Sequence, residues 1–124
     1  MLPFEIHLKH GTPVYEQVLY AAKKAIVSGQ LRPDDAFPSV RAISKELKVN
    51  PNTVQKAISV LKREGFLEVR PGVGTIVALP HRPDPEQQTA LLGGELEALV
   101  VKAKEFSLSL DDVTKALRKH WKEL

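Results

Sequence analysis

The apolar positions of the chain change period twice, and the changes divide it into three parts. In "HGTPVYEQVLYAAKKAIVSGQL", Val14, Val18, Ala21, Ala22, Ala25 and Ile26 recur at helical spacing. Thr12 precedes them as a candidate N-cap, Pro13 fits the first helical position, and Gly29 stands just past the end. The spacing predicts a helix of about four turns. "RPDDAFPS" breaks the chain with two prolines. Ser39 is then placed to cap a short helix to about Leu47, with Val40, Ile43 and Leu47 inward. "KVN" reads as a turn, Asn50 as the next cap, Pro51 as the first helical residue and Gly65 as the stop. Val54, Ala57, Ile58 and Leu61 form the buried face of that third helix.

After Gly65 the period shortens to two. "FLEVR" alternates, "PGVG" supplies turn residues and "TIVAL" is rich in β-branched residues, which predicts a β-hairpin. Residues 80–85, "PHRPDP", hold three prolines in six and predict a short, stiff linker. From residue 86 to 124 the helical period returns. Leu92, Leu96, Leu99, Ala103 and Phe106 step by 4, 3, 4 and 3, a heptad-like stripe. Ser107 to Ser109 interrupt it, with Ser109 placed to cap a last helix that opens on Asp111 and Asp112. Leu110, Val113, Leu117, Trp121 and Leu124 carry the stripe onward.

Composition narrows the function classes. The 124 residues are 43% hydrophobic and 27% charged with a mean hydropathy of -0.18, ordinary for a soluble globular protein. There is no cysteine, which removes disulfides, thiolate metal sites and a cysteine nucleophile. No apolar run approaches the roughly 20 residues of a membrane span. Glu5, His7, Lys9 and His10 interrupt what would be the core of a signal peptide, so a cytoplasmic location is expected. Charge is unevenly shared. Residues 1–79 carry 11 Lys and Arg against 7 Asp and Glu, and residues 80–124 carry 7 against 8. The basic surplus therefore lies in the part that would meet a polyanion.

Three helices, the last two across a tight turn, followed by a hairpin, is the order of a winged helix-turn-helix. In that fold the helix after the turn enters the DNA major groove by its N-terminal end. The stretch "NPNTVQK" suits the position. Asn52 and Gln55 can form paired hydrogen bonds to adenine, and Thr53 offers a hydroxyl to phosphate or a methyl to thymine. Lys56 is the phosphate partner on this helix, and Arg41 on the preceding one can reach guanine or phosphate. At the hairpin tip Gly72 and Gly74 allow close backbone approach, with Arg70 as the nearby cation. Capping explains Asn50 and Pro51 equally well, and Asn52, Thr53 and Gln55 on their own would pass for a solvated helix face.

"PVYEQV", "FPSVRAIS", "VNPNTVQKA" and "LKREGFLEVRPGVGTIV", at these spacings over residues 11–79, resemble the GntR family of bacterial transcription regulators. The resemblance implies a DNA-binding regulator acting as a homodimer on a two-fold symmetric double-stranded operator, with repression the family's usual mode. Carried onto matching positions, its DNA contacts fall on Arg41, Asn52, Thr53, Gln55 and Gly72. Three positions depart from the family pattern. Asp34 stands where members usually carry Gly, Val73 where the wing tip often carries a basic residue, and Pro51 where many carry Arg.

Fewer than 45 residues follow the linker, too few to enclose a metabolite pocket within one chain. The expected architecture is thus mainly α with a small β-hairpin: a winged helix-turn-helix at 1–79, the linker at 80–85, and a two-helix dimerisation tail at 86–124. Leu92, Leu96, Leu99, Phe106, Leu110, Val113, Leu117 and Trp121 are the dimerisation candidates. The alternative for the tail is packing back onto the winged helix. A short tail of this kind resembles the YtrA-type subgroup, whose members often regulate transporter operons. A small-molecule effector acting between tail helices would have Lys115, Arg118 and His120 as its loose candidate contacts.

No phosphate loop, nucleophile elbow, dinucleotide fingerprint or metal-ligand spacing is present, and His7, His10, His81 and His120 read as surface residues. No enzyme activity, cofactor or metal is expected. Two rival readings remain: a winged helix serving as a protein-interaction module without specific DNA binding, and the DNA-binding fragment of a larger enzyme.

Overall fold

A computed structural model describes residues 2–79 and 83–124. The chain separates into two compact units, Met1–His81 and Arg82–Leu124. The expected linker is only partly visible in this division. Pro80, His81 and Arg82 lie outside the described residues, whereas Pro85 is already the first residue of a helix capped by Asp84.

In the first unit, α1 (Val14–Val27), α2 (Val40–Leu47) and α3 (Pro51–Arg63) precede β1 (Leu67–Arg70) and β2 (Gly74–Val77). The caps follow local chemistry. Ser39 Oγ accepts the Ala42 N–H at 3.0 Å and Asn50 Oδ1 accepts the Asn52 N–H at 2.8 Å, each satisfying an orphan donor of the first turn. At the end of α3 Gly65 takes φ +83, while the Phe66 N–H closes back on the Leu61 carbonyl at 2.9 Å. Lys48, φ 56, makes the left-handed corner between α2 and α3. Thr12 does not cap α1. The helix opens at Val14 with Pro13 in the cap position and no side-chain cap. Gln17 uses Thr12 instead: its Nε2 donates to the Thr12 and Lys9 carbonyls at 2.9 Å while its Oε1 accepts the Lys9 N–H at 3.0 Å. That clasp pins the N-terminal arm to α1.

β1 and β2 pair antiparallel from Leu67 opposite Val77 to Arg70 opposite Gly74. The proline-flanked segment after α1, expected only as a break, adds a third edge. Ala36 bridges Ile76, the Phe37 N–H donates to the Thr75 carbonyl and the Val77 N–H to the Asp35 carbonyl, both at 2.9 Å. The core beneath this sheet holds Ala22, Ala25, Ile43, Val54, Ile58, Leu61 and Val77. The predicted inner face of α3 is buried at every position, with Val54, Ala57 and Leu61 fully enclosed and Ile58 nearly so. Phe4 from the N-terminal arm also enters this core and stacks on Phe37, ring centroids 5.8 Å apart.

The second unit runs as α4 (Pro85–Ala90), a π-helical turn (Leu91–Glu95), α5 (Leu96–Glu105) and α6 (Leu110–Glu123). The Leu96 N–H reaches the Leu91 carbonyl, the five-residue step of a π turn. Gly93 and Gly94 sit inside it. A π turn winds fewer degrees per residue than an α turn, so Leu92 is re-aimed relative to the stripe that begins at Leu96. α5 is followed by Phe106 as its C-cap and by Ser107, left-handed at φ 58, and the Leu108 N–H closes on the Ala103 carbonyl at 2.9 Å. Ser109 then starts α6 with a reciprocal capping box. Its Oγ accepts the Asp112 N–H at 3.1 Å, and Asp112 Oδ2 accepts the Ser109 N–H at 2.9 Å. Hydrogen bonds from the Ser109 N–H and, secondarily, the Ser109 hydroxyl hold the Asp112 carboxyl below its ordinary range.

Candidate nucleic-acid interface

The polar face of α3 is the reverse of its buried face. Asn52, Gln55 and Lys56 are exposed and Thr53 is half-buried, while Val54, Ala57 and Ile58 between them are enclosed. With one face locked into the core, the outward direction of these polar side chains is set by the 3.6-residue repeat. No acidic residue occurs from Pro51 to Arg63, so this helix places no like charge beside a phosphate. Gln55 Nε2 lies 3.3 Å from Ser59 Oγ, a contact that orients the amide along the helix. Arg41, one residue into α2, is also exposed.

Lys56 has a neighbour that helix periodicity cannot reveal. Its Nζ sits 3.9 Å from the centroid of the Tyr15 ring, which comes from the first turn of α1. The hairpin end is a tight turn: the Val73 N–H donates to the Arg70 carbonyl at 3.0 Å with Pro71 second and Gly72 third at φ +76. A positive φ at the third position is what a type II turn after proline demands. Gly74 continues at φ +110. Val69 and Val73 stand 60% and 65% exposed, which makes the outward side of the hairpin apolar.

Arg70, the cation expected near the tip, is engaged by two carboxylates. Its Nη2 donates to Asp34 Oδ1 at 3.1 Å and to Glu68 Oε1 at 3.4 Å. Two carboxylates within reach neutralise the one guanidinium. Asp34 holds its place with φ 72 and with its N–H on the Val77 carbonyl, so the left-handed backbone is kept by a residue other than Gly. The pairing spans 36 residues and leaves no signal in local sequence.

A shallow groove on the tail is lined by Ala98, Leu99, Val101, Lys102 and Glu105. Lys115 is engaged with Asp111 one turn earlier at 3.2 Å. No described helix is long and apolar enough to cross a membrane.

Residues 14–77 match the bacterial regulatory proteins of the gntR family. The chain belongs to the gntR family. It is 32% identical to the HTH-type transcriptional repressor YtrA of Bacillus subtilis over 108 residues, covering 86% of this chain and 83% of that one. Among solved structures, a transcriptional antiterminator from Listeria monocytogenes superposes with a TM-score of 0.80 at 25% identity, over 94% of this chain and 88% of the other. AraR(DBD) in complex with an operator superposes with a TM-score of 0.54 at 29% identity, covering 60% and 95%. The gntR chain described here is therefore a winged-helix transcriptional regulator, and its family and relatives are DNA-binding regulators, not enzymes.

Proposed function

We propose that this gntR regulator is a repressor that binds a two-fold symmetric operator as a homodimer. Arg41, Asn52, Thr53, Gln55 and Lys56 make the major-groove and phosphate contacts, with the backbone at Gly72 approaching from the wing. The observation that carries this reading is the two-sided character of α3: an apolar face sealed into the core and an opposite face of hydrogen-bonding and cationic groups without an acid. Structures of AraR(DBD) in complex with operators, on the same fold, support it. Arg70 joins the interface only by leaving Asp34 and Glu68.

The homodimer rests on the tail. Leu110 and Trp121 are each 80% exposed, Leu92 70%, Phe106 66% and Leu117 55%. Exposed apolar residues in this number mark an association site, and a second copy of the chain supplies a matching stripe. An isologous dimer through the tail presents two recognition helices to half-sites about one helical turn apart. A small-molecule effector bound between subunits would shift that spacing and release DNA. Regulation of a transporter operon is the target that the subgroup resemblance suggests.

The deciding experiment is titration of the purified protein onto DNA from upstream of its own gene, against competitor DNA and across salt, for wild type and Arg41→Ala. Saturable binding at a palindromic footprint, lost in the variant, is the expected result. No fragment bound above random DNA would move the chain to the protein-interaction reading.

A further inference from the structure

α1 packs along α3, and at one end of this contact the Tyr15 ring lies under the Lys56 ammonium. Most lysines on a helix surface swing freely, and fixing such a side chain on DNA costs rotamer entropy. Here the ring is half-buried, so its plane is held by the packing of the first turn of α1. The 3.9 Å separation from Nζ to the ring centroid lies well inside the range in which an aromatic quadrupole attracts a cation. The ring leaves the charge intact, unlike the two carboxylates around Arg70. The Tyr15 hydroxyl makes only a 3.4 Å contact with Glu16, so it is the ring face that meets Lys56.

We infer that Tyr15 is a positioning residue for DNA binding: its ring seats the Lys56 ammonium where α3 meets a backbone phosphate. The inference rests on α3 being the recognition helix. α1 thereby takes part in the interface without supplying the phosphate contact itself. An exposed cation–π pair of this kind corresponds to about a two- to fivefold gain in affinity when it pre-orders the lysine.

A short random-sequence duplex suffices as probe, because a phosphate contact is independent of sequence. Its affinity for the full chain is measured by fluorescence anisotropy from low to high NaCl. The comparison covers wild type, Lys56→Ala, Tyr15→Phe, Tyr15→Leu and the Tyr15→Leu/Lys56→Ala pair. Lys56→Ala is expected to lower the slope of log affinity against log salt by about 0.9, the signature of one phosphate contact on B-DNA. Tyr15→Leu should weaken binding about two- to fivefold, Tyr15→Phe should match wild type, and the double variant should lose no more than Lys56→Ala alone. Losses that multiply in the double variant, or a Tyr15→Phe as weak as Tyr15→Leu, overturn the inference. The NMR shifts of the Lys56 side-chain methylenes give a readout free of DNA. Ring current should move them upfield in wild type and Tyr15→Phe, and unshifted methylenes in both would remove the seat. Wild type that binds no duplex at any salt overturns the recognition-helix reading as well. Wild type that binds but is indifferent to Tyr15→Leu overturns this inference alone.

Discussion

The two units use apolar residues in opposite ways. Among the described residues, fourteen of the fifteen buried hydrophobic residues belong to the first unit, and only Ala103 belongs to the second. Twelve of the eighteen exposed large hydrophobics lie in the second unit. Three helices and a sheet enclose a core because their apolar faces converge from different directions. The tail has helices enough to display apolar stripes but no third layer to cover them. Its secondary structure is nonetheless well determined locally, by the Asp84 cap, the left-handed Ser107 and the Ser109 capping box. The contrast separates two sources of order: the first unit is stabilised by packing within itself, and the tail helices by the chemistry of their ends.

The sharpest way to break that contrast is to open the closed core. Leu61 is fully buried where α3 meets the rest of the unit. Leu61→Ala should cost about 2–5 kcal/mol, the lost transfer energy plus a residual cavity. Loss of this size approaches the whole stability of a small domain. A urea titration followed by far-UV circular dichroism should show the midpoint collapse, with DNA binding lost alongside it.

A comparable insult to the tail should act on association and leave the first unit folded. Leu99→Asp with Leu117→Asp places charges on surfaces now 51% and 55% exposed. Sedimentation equilibrium should report a monomer in place of a dimer, because truncated interface anchors each cost about 2 kcal/mol or more. Operator affinity should fall at least about tenfold, since one half-site remains per protein. A dimer that survives both charges would remove the tail from the interface.

These two variants also show which features were legible in the sequence. Leu61 was readable because helical periodicity gives three or four marks per two turns, so the inner face of α3 emerges at every predicted position. The capping residues Ser39, Asn50 and Ser109 were readable for a similar reason, since each acts within three residues of itself. Features that depend on distant partners were not. Phe4 packs against Phe37, residues 34–37 pair with β2, and Arg70 turns toward Asp34; all are set by tertiary approach. The π turn escaped because a Gly93-Gly94 pair signals weak helix propensity without saying which hydrogen-bond step replaces the usual one. Tyr15 was visible only as a helix residue, and its ring under Lys56 is another such distant meeting.

The end chemistry of the tail can be tested by removing one cap. Ser109→Ala should destabilise α6 by about 1 kcal/mol, because the Asp112 N–H loses its acceptor. Acid should act on the same box from its other side. Asp112 is held below the ordinary aspartate value of 3.8 by hydrogen bonds from the Ser109 N–H and hydroxyl. A carboxyl with a lowered folded-state pKa contributes stability above its unfolded value and loses it as pH falls through the folded one. Helicity of α6, followed by NMR on the full chain, should therefore hold at neutral pH and fray from about pH 4 downward. In Ser109→Ala that acid step should shrink.

The smallest effect is expected at the wing root, where two terms oppose each other. Asp34 holds φ 72, a conformation that costs a side-chain-bearing residue about 1 kcal/mol or somewhat more. Its ion pair with Arg70 is half-exposed and returns at most about 1 kcal/mol. Asp34→Gly relieves the backbone and forfeits the pair, so stability should change by less than about 1 kcal/mol. Asp34→Asn separates the terms, because asparagine tolerates the same backbone without the charge. In both variants Arg70 keeps only its longer 3.4 Å contact with Glu68 and is freed toward DNA. The salt slope of duplex binding should then steepen by about 0.9, one phosphate more than wild type. An unchanged slope in both would mean that Arg70 remains bound to Glu68, and that the wing meets DNA through Gly72 and its apolar neighbours alone.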